Sequence, residues 1–211
     1  MKRAIFFALV GFMCLQTVKA QEKNHQHTRF FLSMSIGPVF GKITDDVTGD
    51  PNGAYKMDMS GTGAVFDFKI GGAIKENLII HATLISQTMP GPTIKLSNEP
   101  NSVKATDQLT VGEAMFGGGL TYYIMPQNIL LSGSLGLGNF TIIDQTNDQT
   151  TSTQRGFSMQ LKAGKEWWVS KKWGLGISVT YGKTNLTNNS GDLVEKLDSN
   201  RFGILFNATL N

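Results

Sequence analysis

Apolar and polar side chains alternate with period two over segment after segment of this chain, and that spacing admits β-strands and little else. Ala64, Phe66, Phe68 and Ile70 share one face, while Val65, Asp67, Lys69 and Gly71 share the other. The same pattern recurs around Leu78-Ile80-Ala82-Leu84, Phe157-Met159-Leu161-Ala163, Leu175-Ile177-Val179-Tyr181 and Phe202-Ile204-Phe206-Ala208-Leu210. It predicts eight strands, near residues 29–43, 61–74, 78–88, 110–124, 129–143, 156–169, 173–186 and 201–210. The fifth needs a bulge near Gly138 and Asn139 if Leu135, Leu137, Phe140 and Ile142 are to share a face.

The connections alternate as regularly as the strands. Segments 44–60, 89–109, 144–155 and 187–200 are long and polar, whereas 75–77, 125–128 and 170–172 are short. An even number of antiparallel strands, with long loops at one end and tight turns at the other, describes a transmembrane barrel. Such a barrel must close, because an open edge in hydrocarbon leaves backbone groups unsatisfied. The expected fold is therefore all-β, a closed eight-stranded antiparallel up-and-down transmembrane barrel. Tyr122, Tyr123, Trp167, Trp168 and Trp173 cluster beside the short turns, as a membrane–water girdle would. Phe30 and Phe31 begin the first strand at the same end, and Phe40, Phe140, Phe157 and Phe202 supply a second belt near the long loops.

The first twenty residues read as an export signal. Lys2 and Arg3 precede an apolar run over 4–15, and Val18-Lys19-Ala20 places small residues before a cut after Ala20. A run of this length is too short for a transmembrane helix, which needs ~20 residues. Cys14, the only cysteine, falls within it, so the exported chain is expected to hold no thiol. Residues 1–20 are thus the signal peptide, 21–28 a flexible solvated tail, and 29–211 the barrel domain. Lys2, Arg3 and Lys19 account for the whole formal charge of +3. The neutral remainder argues against nucleic acid as a partner.

If the apolar face meets lipid, the polar face points inward. It carries Asp67, Lys69, His81, Glu113, Lys162 and Glu166, among many small residues. Eight strands enclose a space that side chains can fill. Charges confined there must pair, so a plug of ion pairs is expected rather than a gated channel. His81 invites a catalytic reading, but no serine or carboxylate accompanies it in a recognisable motif, and an interior hydrogen-bonded role is expected. His25 and His27 offer only two metal ligands in a polar tail. Asp45, Asp46, Asp50 and Asp58 lack the spacing of a calcium loop and read as solvated turn residues. Gly117-Gly118-Gly119 lies mid-strand, where it cradles no phosphate. No cofactor or metal is expected.

At this point the chain resembles the small outer-membrane barrel family of the OmpA and OmpX type, across nearly all of residues 29–211. Its last strand is similar to the assembly signal of that family, with Gly203 followed by Phe206 and Ala208, although Asn211 stands where such strands usually close on an aromatic residue. No peptidoglycan-binding domain is expected after the eighth strand. The resemblance implies a monomer in the outer membrane of a Gram-negative bacterium, among lipid and lipopolysaccharide, delivered by the barrel assembly machinery. It implies a non-enzymatic protein displaying four extracellular loops for surface interaction or envelope integrity. Two alternatives stay open: a narrow pore for small solutes, and a secreted lipocalin-like barrel that buries its apolar face around a ligand. The long segments carry a net −6 against +2 in the short turns. An acidic crown would favour a basic or calcium-bridged partner, or would only keep the loops soluble.

Overall fold

The structure is a computed structural model that describes residues 26–211 except Asn52; the expected signal peptide, Cys14 and His25 lie outside the described residues. Eleven strands form: β1 (Phe30–Thr48), β2 (Tyr55–Lys75), β3 (Leu78–Pro90), β4 (Thr93–Leu96), β5 (Val103–Lys104), β6 (Leu109–Ile124), β7 (Ile129–Asp144), β8 (Gln149–Ser152), β9 (Gly156–Trp168), β10 (Trp173–Ser190) and β11 (Leu193–Leu210). Eight of them make a closed antiparallel ring in the order β1-β2-β3-β6-β7-β9-β10-β11, with β11 pairing back onto β1. The short strands β4, β5 and β8 ornament two of the long connections, pairing with β2, β4 and β7 respectively.

Each ring strand buries one parity of side chain and exposes the other, and the exposed parity is the apolar one. Ile36, Leu135 and Phe206 are about three-fifths exposed, and Phe116 is 68% exposed. Asp67, Lys69, Glu113 and Lys162 are at most 5% exposed. This inversion suits lipid outside and side chains inside, as in a membrane barrel. It also removes the lipocalin-like alternative, which needs the opposite arrangement.

The short turns use residues suited to a left-handed backbone. Asn77 and Asn128 take φ of 62° and 56°, a region that asparagine tolerates better than most side chains. Two inward glycines are required by their neighbours. A Cβ on Gly182 would stand 2.3 Å from Arg201 Nε, and one on Gly119 would stand 2.8 Å from His81 Cε1. The absent side chains leave room for the large ones.

The structure corrects several expectations. The connections 44–60 and 187–200 are mostly strand: β1 runs to Thr48 and β2 begins at Tyr55, while β10 and β11 pair from Trp173↔Leu210 to Ser190↔Leu193, leaving a tight turn at Gly191 and Asp192. Together these four strands form a wall that projects beyond the others; cross-strand hydrogen bonds run along it, and its inner face carries Ile43, Val47, Met59, Leu186 and Leu197. No bulge occurs at Gly138, where the β6–β7 register runs unbroken; Phe140 instead turns inward and is 1% exposed. The aromatic pairs split by parity: Tyr122 faces out and Tyr123 in, Phe30 out and Phe31 in. Finally, the segment 26–29 is not a wholly solvated tail, because His27 is buried in the short-turn end of the barrel.

Candidate functional site

The barrel interior is built in layers, alternately apolar and polar. At the long-loop end, Ile43, Met59, Met89, Val111, Phe140, Leu186 and Leu197 form an apolar cluster across the bore. Beneath them, Glu113 on β6 pairs with Arg201 on β11. Glu113 also accepts from Ser199 Oγ at 2.8 Å and from Gln87 Nε2 at 2.6 Å. Arg201 reaches Thr184 at 3.2 Å, and Thr184 lies 2.6 Å from Ser158. A second apolar layer follows, of Val39, Val65, Ile85, Met115 and Leu205.

Below that layer, β2 and β9 are tied through the bore. Lys69 Nζ lies 2.5 Å from Asp67 Oδ1 and donates to Gln160 Oε1 at 2.8 Å. Lys162 Nζ lies 3.1 Å from Asp67 Oδ2 and donates to Ser35 Oγ at 2.6 Å. One carboxylate thus holds two ammonium groups, and all three are nearly inaccessible to water. Taking such charges out of water is compensated only when each is paired and hydrogen-bonded, as here.

His81 lies 2.9 Å from Thr83 Oγ1 and 3.0 Å from Thr121 Oγ1, in a hydroxyl cluster that continues to Ser134 and Ser132. Both ring nitrogens thus face threonine hydroxyls, the geometry of an interior hydrogen-bonding group. Glu166 accepts from Tyr123 Oη at 3.1 Å and from Thr209 Oγ1 at 2.8 Å. The six charged or titratable residues singled out from sequence therefore share the bore but divide into separate clusters. Glu113 belongs with Arg201, Asp67 with both lysines, Glu166 with Tyr123, and His81 with hydroxyls.

The short-turn end is closed by His27. Its ring stacks on Tyr123, with centroids 3.5 Å apart and planes 11° apart. Nε2 lies 2.9 Å from Asn128 Oδ1, and Nδ1 lies 2.6 Å from the carboxamide of Asn211. Its backbone N–H donates to Asn77 Oδ1 at 3.2 Å, while Asn77 N–H donates to the His27 carbonyl at 2.9 Å. Two turns and the residue after the last strand thus meet on one histidine, Asn128 and Asn211 at its ring and Asn77 at its backbone. Burial pushes that imidazole below its usual value, partly offset by its contacts with Asn128 and Asn211.

Arg201, Tyr123 and His27 escape the sequence reading of this site, whereas the alternation already puts Gln87 and Gln160 on the polar face. Strand parity points to Arg201, which shares a face with Gly203, Leu205 and Asn207, and to Tyr123 by the same rule. Of the expected girdle, Tyr122, Trp167 and Trp173 are exposed on the outer surface, whereas Tyr123 is a core residue and Trp168 turns towards His27, 5.0 Å between ring centroids. In the second belt Phe40, Phe157 and Phe202 are exposed, and Phe140 is buried.

The acidic long segments are also rearranged. Asp45 is 2% exposed and points inward, which corrects its reading as a solvated turn residue. Asp58, Asp46 and Asp198 lie on the outer face of the wall, paired with Lys42 at 3.0 Å, Lys56 at 3.5 Å and Lys183 at 3.1 Å. Among the described residues, no three His, Cys, Asp or Glu side chains converge as metal ligands. A space of about 10 Å³ lies beside Glu113 and Gln87, room for roughly a single water.

No protein-family model matches the chain, and no curated protein matches its sequence. Solved structures do match in fold. Neisserial surface protein A superposes with a TM-score of 0.55 at 12% identity, covering 86% of this chain and 96% of that one. The outer membrane protein OprG from Pseudomonas aeruginosa superposes with a TM-score of 0.54 at 13% identity, covering 89% and 99%. Identity at this level speaks for the fold alone, and the fold agrees with the inverted exposure of the strands. The chain folds as a closed eight-stranded antiparallel β-barrel, the fold of these outer-membrane proteins.

Proposed function

We propose that this protein is a sealed, non-enzymatic barrel that anchors a projecting sheet and loops at the cell surface, where they meet other molecules. The observation that carries this reading is the filled bore. Two ion-paired layers and three apolar clusters cross it, the third made of Phe31, Ile79, Tyr123 and Leu130, and a histidine stops the short-turn end. A pore reading needs a continuous polar passage, and an enzyme reading needs an activated nucleophile or a metal. The wall formed by β1, β2, β10 and β11 supports a display role, because it extends a rigid surface beyond the lipid-facing band. The long loops point outward in this reading and the short turns towards the periplasm, the usual sense for such barrels.

Single cysteines introduced on whole cells test the orientation. Cysteines replacing Asn147 or Asn189, both exposed at the long-loop end, should react with an impermeant maleimide, whereas one replacing Lys172 should not. The reverse pattern would overturn the display reading.

A further inference from the structure

Asp45 is 2% exposed, and its Oδ1 has no hydrogen-bond partner among the described residues. A carboxylate taken out of water must be paired, protonated or bound to a metal ion. The lysines of the wall are engaged on its outer face: Lys42 pairs with Asp58, Lys56 with Asp46 and Lys183 with Asp198. Glu195, on the same inner face as Asp45, stands a rung further out, opposite Val47, and accepts from Asn188 Nδ2 at 2.6 Å.

Thioethers surround this carboxylate. Met57 stands directly opposite Asp45 in the register, Met59 opposite Ile43, and Gly61 opposite Gly41. Directly opposite residues bring their Cβ atoms to about 4.5–5.5 Å, and successive rungs on one face are about 7 Å apart. Met89 of β3 reaches the same place. A Cβ on Gly61 would stand 3.1 Å from Met89 Sδ, and one on Gly41 would stand 3.9 Å from it. That sulfur therefore lies over the bare Gly41–Gly61 rung, in one apolar cluster with Met59, and Met57 packs against the cluster. Met59 and Met89 are buried while Met57 is half-buried, so the group is reached from outside past Met57.

We propose that Asp45, Met57, Met59 and Met89 form a site for one soft monovalent cation, the cuprous ion. The donor set selects it. Thioethers are soft ligands that favour copper(I). Calcium takes about six to eight oxygen ligands, and zinc takes thiolates, imidazoles and carboxylates. One carboxylate with three thioether sulfurs satisfies neither. The charges also balance: thioethers carry none, so a single carboxylate neutralises a single monovalent ion and leaves the apolar cluster without net charge. Methionines that only fill a core need no anion beside them, and Asp45 is what packing alone leaves unexplained.

Native mass spectrometry of the folded barrel, isolated from outer membranes in detergent and titrated with silver(I) nitrate, tests the site. Silver(I) shares the preference of copper(I) for thioethers and is stable in air. One retained ion per barrel is expected, undiminished by excess calcium. Met59→Leu and Met89→Leu nearly conserve core volume, and each should weaken retention by about tenfold or more. The double variant should lose the ion. Asp45→Asn keeps the shape, removes the charge, and should weaken retention as much as either single methionine variant. Met115→Leu, in the apolar layer below, should leave it unchanged. Folding of each variant is read from its unboiled gel mobility. Unchanged retention in the double methionine variant or in Asp45→Asn, an equal loss in Met115→Leu, or displacement by calcium would overturn the proposal. The isolated barrel has no sidedness, so this result and the whole-cell labelling can fail independently.

Discussion

His27 lies flat against Tyr123, so the segment leading into the barrel is joined to the barrel's own interior. Tyr123 continues the contact to Glu166, and Asn77, Asn128 and Asn211 hold His27 from three sides. A residue outside every strand thereby closes one end of the bore.

The closure should depend on pH. Burial lowers the proton affinity of the folded imidazole below its ordinary value of 6.5. The unfolded chain then binds the extra proton first, so the contribution of His27 is fully present above about pH 6.5 and is lost as pH falls below that value. Urea midpoints at pH 8 and pH 5 should therefore fall further for the wild type than for His27→Gln. Parallel shifts in the two proteins would remove His27 from the closure.

Glu113 and Arg201 are both nearly inaccessible, so removing either leaves an uncompensated charge. Glu113→Ala or Arg201→Ala alone should cost about 3–5 kcal/mol in lipid-vesicle unfolding. The pair Glu113→Leu with Arg201→Met should recover much of that loss, because no charge then stays buried. A double variant that loses the sum of the two single losses would show that the charges do not interact.

Parity separates two kinds of damage from an introduced arginine. Leu84 and Ile177 face lipid, and Arg at either should cost about 2–4 kcal/mol if it lies near the midplane. Thr83 and Ser178 face the bore, so Arg there disturbs hydrogen-bonded packing and should respond to changes at Ser134 or Asn207, their respective partners. Equal tolerance on both faces, measured by unfolding in vesicles, would mean the strand register is wrong.

The inverted alternation of the strands was legible because a membrane rewards it at every second residue. Ala64 to Ile70 alone assigns Asp67 and Lys69 to the bore. The same parity separates Tyr122 from Tyr123 and Trp167 from Trp168, and clustering of aromatic residues obscured it. The extension of β10 and β11 was harder to see. Past Tyr181 and Phe202 the outward residues Lys183, Asn185, Thr187, Lys196, Asp198 and Asn200 are all polar, so the apolar signal fades while the hydrogen-bonded ladder continues to Ser190 and Leu193. His27 had no local signal at all. Its side-chain partners Asn128 and Asn211 are 101 and 184 residues away in the chain, and only the closure of the ring brings them together.

Current across planar bilayers containing the purified protein tests the sealed bore most directly. With Glu113 and Arg201 paired, Asp67 holding both lysines and His27 in place, the membrane should carry no more current than a protein-free one. Stable, reproducible conductance steps from the folded wild-type barrel would contradict a sealed interior and restore the narrow pore.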